Sequence, residues 1–237
     1  GLDMNRIGDE VTAIRSDVPF PEYLYNDNPF DDVNYILNKS IFTGATLYTI
    51  NYTKTGNMTT SFDTYANWMS DEFTFGRKSF DQFYDSFTTM GNVVNDQSYS
   101  GVEYEMMQSN INQNVISLAR DYPDTVFYYF ITPYSIVHFG QLKSAGTLKK
   151  QIDFQRAATE LILENDNIKL FSFLDEYELI TNLDNYKDPS HYGEWVNTMI
   201  LNWMNNDEHL LTKTTYSAYY DEIFEFYNNF DYASIYD

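Results

Sequence analysis

A carboxylate and an imidazole lie three residues apart near the end of the chain, in the segment Asn-Tyr-Lys-Asp-Pro-Ser-His-Tyr at 185–192. An aspartate at this spacing can bond one nitrogen of the histidine, which fixes the tautomer of the ring and stabilises its protonated form. A histidine needs such a partner to act as the general base for a serine nucleophile. The spacing therefore makes Asp188 and His191 candidate catalytic residues.

The same residues have an alternative, structural interpretation. Asp188 can cap a helix that begins at Pro189, because aspartate is favoured at the N-cap and proline at the next position. Taken alone, the local pattern favours the helix cap. The place of the segment in the chain favours catalysis, because it follows the last strand of a predicted α/β unit, where parallel sheets bind their ligands.

Two apolar runs predict the strands that position this segment. Residues 126–132 and 168–173 are rich in β-branched and aromatic residues, which is typical of buried parallel strands, and residues 148–164 have the apolar spacing of a helix. We expect the strands to pair in parallel, with the helix crossing over between them. Tyr134 follows the first strand and Asp3 can end a third, so both are expected at the same edge of the sheet as Asp188.

Apolar spacing predicts further helices at 31–39, 41–54, 77–87, 103–121 and 191–206. In the last of these, Trp195, Met199 and Trp203 recur every four residues, with Val196 and Ile200 beside them. An aromatic tail, about residues 207–237, predicts a final helix packed over the core. At roughly 150 residues per domain, a chain of 237 residues is expected to form a single domain.

The composition excludes several classes of function. With 14 basic and 35 acidic side chains the net charge is −21, which argues against nucleic acid and anionic membranes as partners. The absence of cysteine excludes disulfides, thiolate catalysis and iron–sulfur clusters. We expect no cofactor and no metal, because no two-histidine spacing supports a site built on Asp188, His191 and a tail carboxylate. His138 is expected to be half-buried and His209 to be solvated.

A wider set of segments carries a family resemblance. The set comprises Gly1–Asp3, Tyr23–Phe30, Phe127–Phe130 with Pro133–Ser135, and Leu183–Asp188 continuing into His191–Asn197. With its Asp-x-x-His after the last strand, the chain resembles the SGNH (GDSL-like) hydrolases, and in particular an uncharacterised exported branch from Gram-positive gut and rumen bacteria. The resemblance implies an α/β, three-layer flavodoxin-like fold with a parallel sheet.

The resemblance also implies roles for individual residues. His191 would be the general base, Asp188 its orienting carboxylate, and Asp3, Asn5 or Tyr134 a weaker substrate or oxyanion contact. The sequence has no Gly-x-Ser, the context in which the family carries its nucleophile. The chain is therefore similar to the C-terminal two-thirds of such a protein, without its N-terminal strands, and we expect it to be inactive by itself.

Two hypotheses about function follow. The first is an esterase or acyl transferase that acts on O-acyl groups of a carbohydrate or cell-envelope polymer, in a parent protein that is exported and membrane-anchored. The second is a non-catalytic, exported saccharide- or envelope-binding protein with a degenerate SGNH fold. A Gly-x-Ser encoded upstream of residue 1 would favour the first hypothesis, and its absence would favour the second.

Overall fold

The computed structural model describes residues 74–236 together with positions 27, 28, 30, 31, 33, 43, 46, 47, 50 and 54. Residues 74–236 lie in one compact unit and the ten earlier positions in another. The helices and strands named below belong to the first unit. Most of the helices predicted at 31–39 and 41–54, and the strand end predicted at Asp3, lie outside the described residues. The single domain predicted over residues 1–237 stays a prediction.

Eight α-helices occur within residues 74–236. Their bounds are α1 (Tyr84–Thr88), α2 (Gly101–Ile111), α3 (Ser117–Asp121), α4 (Ile136–Ser144), α5 (Leu148–Leu163), α6 (Tyr177–Thr181), α7 (Glu194–Asn205) and α8 (Tyr216–Asn229). A π-helical turn (Asn112–Ile116) joins α2 to α3, and shorter 3₁₀ helices span Arg77–Phe83, Leu183–Asn185 and Tyr232–Tyr236. These elements agree with the helices predicted at 77–87 and 103–121 and in the tail.

Strands β1 (Phe127–Ile131) and β2 (Ile168–Ser172) pair in parallel, with Phe127 opposite Ile168. Helices α4 and α5 both lie between them along the chain; α5 matches the helix predicted at 148–164, whereas α4 is an additional helix. The parallel pairing and the general α/β class are confirmed. The outer edge of β2 is occupied by the segment 209–211: the amide of Leu211 donates to the carbonyl of Leu170 at 2.9 Å. Within residues 74–236, β1 pairs with no strand other than β2.

Both faces of the sheet are packed, because side chains alternate along each strand. Ile131, Ile168 and Leu170 join the larger core, which also contains residues of α2, α4, α5 and α8. Phe171 belongs to a second core, formed with Phe173 and the inner side of α7. Most of the continuous apolar character of the two strands is explained by these two cores, although Tyr128 of β1 is 52% exposed.

Helix α7 differs from its prediction at both its start and its apolar face. It begins at Glu194 rather than at His191. The buried residues that face the second core are Val196, Ile200 and Met204, with Trp203 packed against them, whereas Trp195 and Met199 of the predicted apolar stripe are 42% and 37% exposed.

Tyrosine hydroxyl groups tie distant parts of the backbone together inside the described unit. Each of these tyrosines is buried, and each phenol donates to a backbone carbonyl at 2.6–2.8 Å. The bonds satisfy a polar group that burial would otherwise leave unpaired. The pairs are Tyr186 to Pro133, Tyr227 to Leu174, Tyr232 to Tyr227 and Tyr236 to Phe80.

Candidate active site

The Asp-x-x-His segment forms a closed loop before α7. An isolated antiparallel bridge joins Tyr186 to Tyr192, and the amide of Lys187 donates to the carbonyl of His191 at 3.0 Å. The helix N-cap is Gly193, so Asp188 does not cap a helix and Pro189 is not its first residue. A helix start at Pro189 is therefore wrong, because the backbone turns back on itself at 186–192 before the helix begins; the amide bonds that this interpretation expects at Asp188 are nevertheless present.

Asp188 holds the ring of His191 at hydrogen-bond distance. Nδ1 lies 2.9 Å from both Oδ1 and Oδ2 of the carboxylate. The backbone amides of Ser190 and His191 also donate to Oδ1, at 3.0 and 2.9 Å. One carboxylate thus shapes the loop and orients the ring, as the catalytic interpretation expects. The His191 side chain is 62% exposed, and its Nε2 has no hydrogen-bond partner among the described residues.

The charge of Asp188 is stabilised in this position. Partial burial acts to raise its pKa, but the bonds from the Ser190 amide and from His191 outweigh burial and hold the pKa below its ordinary value. The carboxylate therefore stays ionised over the range in which an imidazole titrates. An ionised partner on Nδ1 is the arrangement that lets Nε2 accept a proton.

The loop is fastened to the end of β1. Ser135 donates both its amide and its hydroxyl group to the carbonyl of Pro189, at 3.0 and 2.9 Å. The buried phenol of Tyr186 donates to the carbonyl of Pro133 at 2.8 Å. The segments after the two strands therefore meet, as expected from parallel strands whose carboxyl ends share one edge of the sheet.

The structure describes only one of the three weaker site candidates. Tyr134 lies in the loop that contacts Pro189, is half-buried, and has its ring centroid 4.8 Å from that of His138. His138 is half-buried, as expected. Asp3 and Asn5 lie outside the described residues, so their proposed oxyanion contact stays a prediction.

The base of the loop is held by Asn185, Gly193 and Trp195, three residues that no sequence motif marks as a group. The indole nitrogen of Trp195 donates to Oδ1 of Asn185 at 2.9 Å, and the amide of Gly193 donates to the Asn185 carbonyl at 2.8 Å. The Trp195 ring packs on Gly193 so closely that a Cβ atom there would lie 2.3 Å from it. Glycine is needed here for space rather than for its backbone angle, since its φ is −68°.

The serine nearest to His191 does not stand where a nucleophile is required. The Ser190 hydroxyl group lies 3.4 Å from Nδ1, the nitrogen already engaged by Asp188. A nucleophile must reach the opposite nitrogen, Nε2, to transfer its proton. Ser190 is therefore part of the loop and not the missing serine of a triad.

His209 is not solvated as expected, but half-buried among carboxylates. Its Nδ1 lies 3.1 Å from Asp175, and its Nε2 lies 2.9 Å from Glu176. Both acids follow β2 and are more than 30 residues away along the chain. Because both nitrogens are occupied, His209 is not available as a general base.

Within residues 74–236 and the ten earlier positions, no three His, Cys, Asp or Glu side chains are grouped in a way that could hold a metal ion. Nor does any helix there have the length and apolarity to cross a membrane. Comparison of the chain with protein-family models, with curated proteins and with solved structures found no match.

Proposed function

We propose that the 186–192 loop supplies the general base and its orienting carboxylate to an SGNH-type serine esterase or acyl transferase. The observation that carries the proposal is the His191 ring: Nδ1 bonded to an ionised carboxylate, Nε2 without a partner among the described residues, and the side chain exposed. This is the half-triad that acyl transfer from an ester needs.

The placement of the loop supports the same function. It lies against the segment that leaves β1, on the side of the sheet where parallel α/β folds bind ligands. The packed faces of the sheet agree with a three-layer arrangement, and we propose that the complete domain is the flavodoxin-like fold of SGNH hydrolases. The proposed substrates are O-acyl groups of a carbohydrate or cell-envelope polymer, outside the cell.

In the proposed reaction, Nε2 of His191 takes the proton of a serine hydroxyl group as its oxygen attacks the ester carbonyl carbon. The resulting imidazolium is stabilised by Asp188, which stays ionised. The ring then returns the proton to the departing alkoxide, leaving an acyl-enzyme. Water releases the acyl group in an esterase, and an acceptor alcohol takes it in a transferase.

The nucleophile of this reaction is proposed to lie upstream, since the sequence has no Gly-x-Ser. The 237-residue chain alone is expected not to hydrolyse p-nitrophenyl acetate above background. Robust turnover that Ser16→Ala or Ser40→Ala abolishes would place the nucleophile within this chain instead.

The decisive experiment is to sequence the gene on the 5′ side of the codon for Gly1. The protein encoded by the whole reading frame is then expressed and assayed. We expect a Gly-x-Ser, hydrolysis of p-nitrophenyl acetate, and labelling by a fluorophosphonate. His191→Ala is expected to lower kcat/KM by at least about 10³-fold. Asp188→Asn tests the orienting carboxylate, and its matched control is Asp166→Asn, at a carboxylate that is 99% exposed.

An upstream sequence without Gly-x-Ser, or an activity that His191→Ala leaves unchanged, would refute the catalytic proposal. Binding of an envelope polysaccharide that is retained in His191→Ala, without any turnover, would then support the non-catalytic alternative.

A further inference from the structure

A second histidine–carboxylate cluster shares no residue with the Asp188–His191 pair. At its centre is His209, whose side chain is only 17% exposed. Nδ1 lies 3.1 and 3.2 Å from the two oxygens of Asp175, and Nε2 lies 2.9 Å from Oε1 of Glu176. A neutral imidazole has one N–H and can donate to only one of these carboxylates, whereas the protonated ring can donate to both.

The backbone at this histidine is held in an unfavourable conformation. The φ angle of His209 is 60°, in the left-handed region that residues other than glycine rarely adopt. Asp207, two residues earlier, has a φ angle of 56°. Such a conformation persists only where surrounding contacts maintain it, and the contacts of the His209 side chain include its two carboxylates and the aromatic rings of Phe173 and Trp203.

The cluster sits where the chain adds an edge to the sheet. The amide of Ser172 donates to the carbonyl of His209 at 3.1 Å, and the amide of Leu211 donates to the carbonyl of Leu170 at 2.9 Å. Residues 209–211 thus run along the outer edge of β2. His209 is the first residue of this segment. The residue whose ring can gain or lose a proton is therefore also one of the residues that pair with β2.

The charged and titratable groups around the ring are almost all acidic. Beyond the turn after β2, α8 contributes the phenol of Tyr219, 3.3 Å from Oδ1 of Asp175, and α7 contributes only the uncharged indole of Trp203. In its own segment the ring has Glu208 and Asp207, and the latter is paired with Lys169 of β2 at 2.7 Å. A proton on His209 thus supplies one positive charge between the two carboxylates of Asp175 and Glu176.

We propose that protonated His209 locks the segment 209–211 onto β2, and that loss of this proton releases the segment. In the locked state the imidazolium bridges Asp175 and Glu176. Without the proton, Nε2 presents a lone pair to the Glu176 carboxylate at 2.9 Å, so that an attraction becomes a repulsion. The unfavourable φ angle at 209 then loses the bond between the ring and Glu176 that helps to maintain it.

The direction of the pH dependence follows from the two groups. The bond to Asp175 raises the pKa of His209 above its ordinary value, against the opposing effect of burial. A base whose pKa is raised on folding stabilises the folded form below its ordinary pKa, and that stabilisation is lost as the pH rises through the raised value. Burial raises the pKa of Glu176, although His209 opposes this, so protonation of Glu176 in acid does not destabilise the folded form, and we expect the loss of the lock on the alkaline side only.

Hydrogen exchange of single amides, measured by NMR on the full chain, tests the proposal. The reporters are the amides of Leu211 and Ser172, and the reference is the amide of Phe127, which donates to Asn167 away from the segment. After correction for intrinsic exchange, we expect protection at the two reporters to fall as His209 loses its proton. The fall should be about tenfold for each unit by which the pKa of His209 in the fold exceeds 6.5.

Three variants make the outcome specific. His209→Asn keeps a residue that tolerates positive φ and should remove the pH step. Glu176→Gln supplies an amide donor to the unprotonated Nε2 and should make the step smaller and move it to lower pH. Glu178→Gln removes a nearby charge that does not contact the ring, and should leave the step unchanged.

Protection at Leu211 and Ser172 that does not depend on pH between 5.5 and 9 would overturn the proposal. A step that persists in His209→Asn would do the same. A step lost equally in Glu178→Gln would assign the effect to the general negative charge rather than to the bridge.

Discussion

Asp188 has two functions in one side chain. Its carboxylate receives the backbone amides of Ser190 and His191, and it also engages Nδ1 of the ring. A substitution that removes the side chain therefore opens the loop as well as freeing the imidazole, and its effect cannot be assigned to either alone. Asparagine at position 188 separates the two functions. Its oxygen can still accept the backbone amides, while its NH₂ group offers the ring a donor in place of an acceptor.

The first prediction concerns the tautomer of His191. In the unmodified chain, the neutral ring should carry its hydrogen on Nδ1, because the ionised Asp188 accepts only there. Asp188→Asn should shift the hydrogen towards Nε2 while the loop amides keep their protection. The ¹⁵N chemical shifts of the ring report the tautomer directly, and Asp166→Asn is the control. An unchanged tautomer in Asp188→Asn would show that the carboxylate does not orient the ring.

The two histidine sites differ in how far the sequence alone predicts them. Asp188 and His191 are three residues apart, so their pairing is visible as a local motif and the contact at 2.9 Å agrees with it. His209 lies 34 residues from Asp175, and its acidic surroundings in the sequence indicate only solvation. The partners come together because β2 and the later segment 209–211 lie side by side, a long-range pairing that no local pattern records.

The loop at 186–192 explains why the predicted start of α7 is three residues early. Asp-Pro is a good helix start by composition, but the bridge from Tyr186 to Tyr192 and the bond from Gly193 to Asn185 close the chain first. Local propensity is a weak preference that a few tertiary bonds can override. The closure is what allows Asp188 to face the ring instead of a helix end.

The second prediction tests that closure through Gly193. Gly193→Ala would place a Cβ 2.3 Å from the Trp195 ring, so the indole must move and its bond to Asn185 must weaken. We expect a destabilisation of about 1–3 kcal/mol, the usual cost of overpacking. Urea unfolding gives the free energy, and the tryptophan emission spectrum should shift.

The matched control for Gly193→Ala is Gly101→Ala, at the first residue of α2. A Cβ there meets nothing within 4 Å. That change should be neutral or stabilising, by up to about 1 kcal/mol, because alanine is the better helix former. If both alanine variants have the same stability, the packing of Trp195 on Gly193 does not hold the loop.

The strands could be predicted well and the inner side of α7 could not, for a physical reason. A strand with a continuous apolar run must be covered on both faces, whichever residues cover it. The pattern at 126–132 is therefore sufficient to predict a buried strand. Helix α7 instead carries two apolar stripes one residue apart: Trp195 with Met199, and Val196 with Ile200. Periodicity gives both stripes the same signal. In the structure Val196 and Ile200 are buried in the second core, while Trp195 and Met199 are partly exposed and Trp203 of the same stripe stacks on Phe173.

The described unit as a whole is held by apolar and aromatic packing around its two cores. The chain has only 14 basic residues for 35 acidic ones, so ion pairs can neutralise a minority of its carboxylates. Several of the pairs that do occur, such as Arg120 with Asp121, are exposed, where such pairs contribute little. Buried aromatic side chains such as Phe80, Phe139, Phe171 and Tyr220 supply much of the buried area instead.

The tyrosine ties give this protein a characteristic weakness to strong base. Burial raises the pKa of the phenols at Tyr186, Tyr227 and Tyr232. An acid whose pKa is raised on folding favours the folded state only until the pH passes its ordinary value, about 10 for tyrosine. Above that value every tie that opens becomes a phenolate that cannot donate back to its carbonyl, and it adds a negative charge to a chain already at −21. We expect the buried phenols to add a cooperative step to the tyrosinate absorbance, beside the contribution of the exposed ones, and this step should coincide with the loss of circular dichroism in alkali, with reductant having no effect. Gradual ionisation with the dichroism intact would mean that the phenols can leave their carbonyls without unfolding the chain.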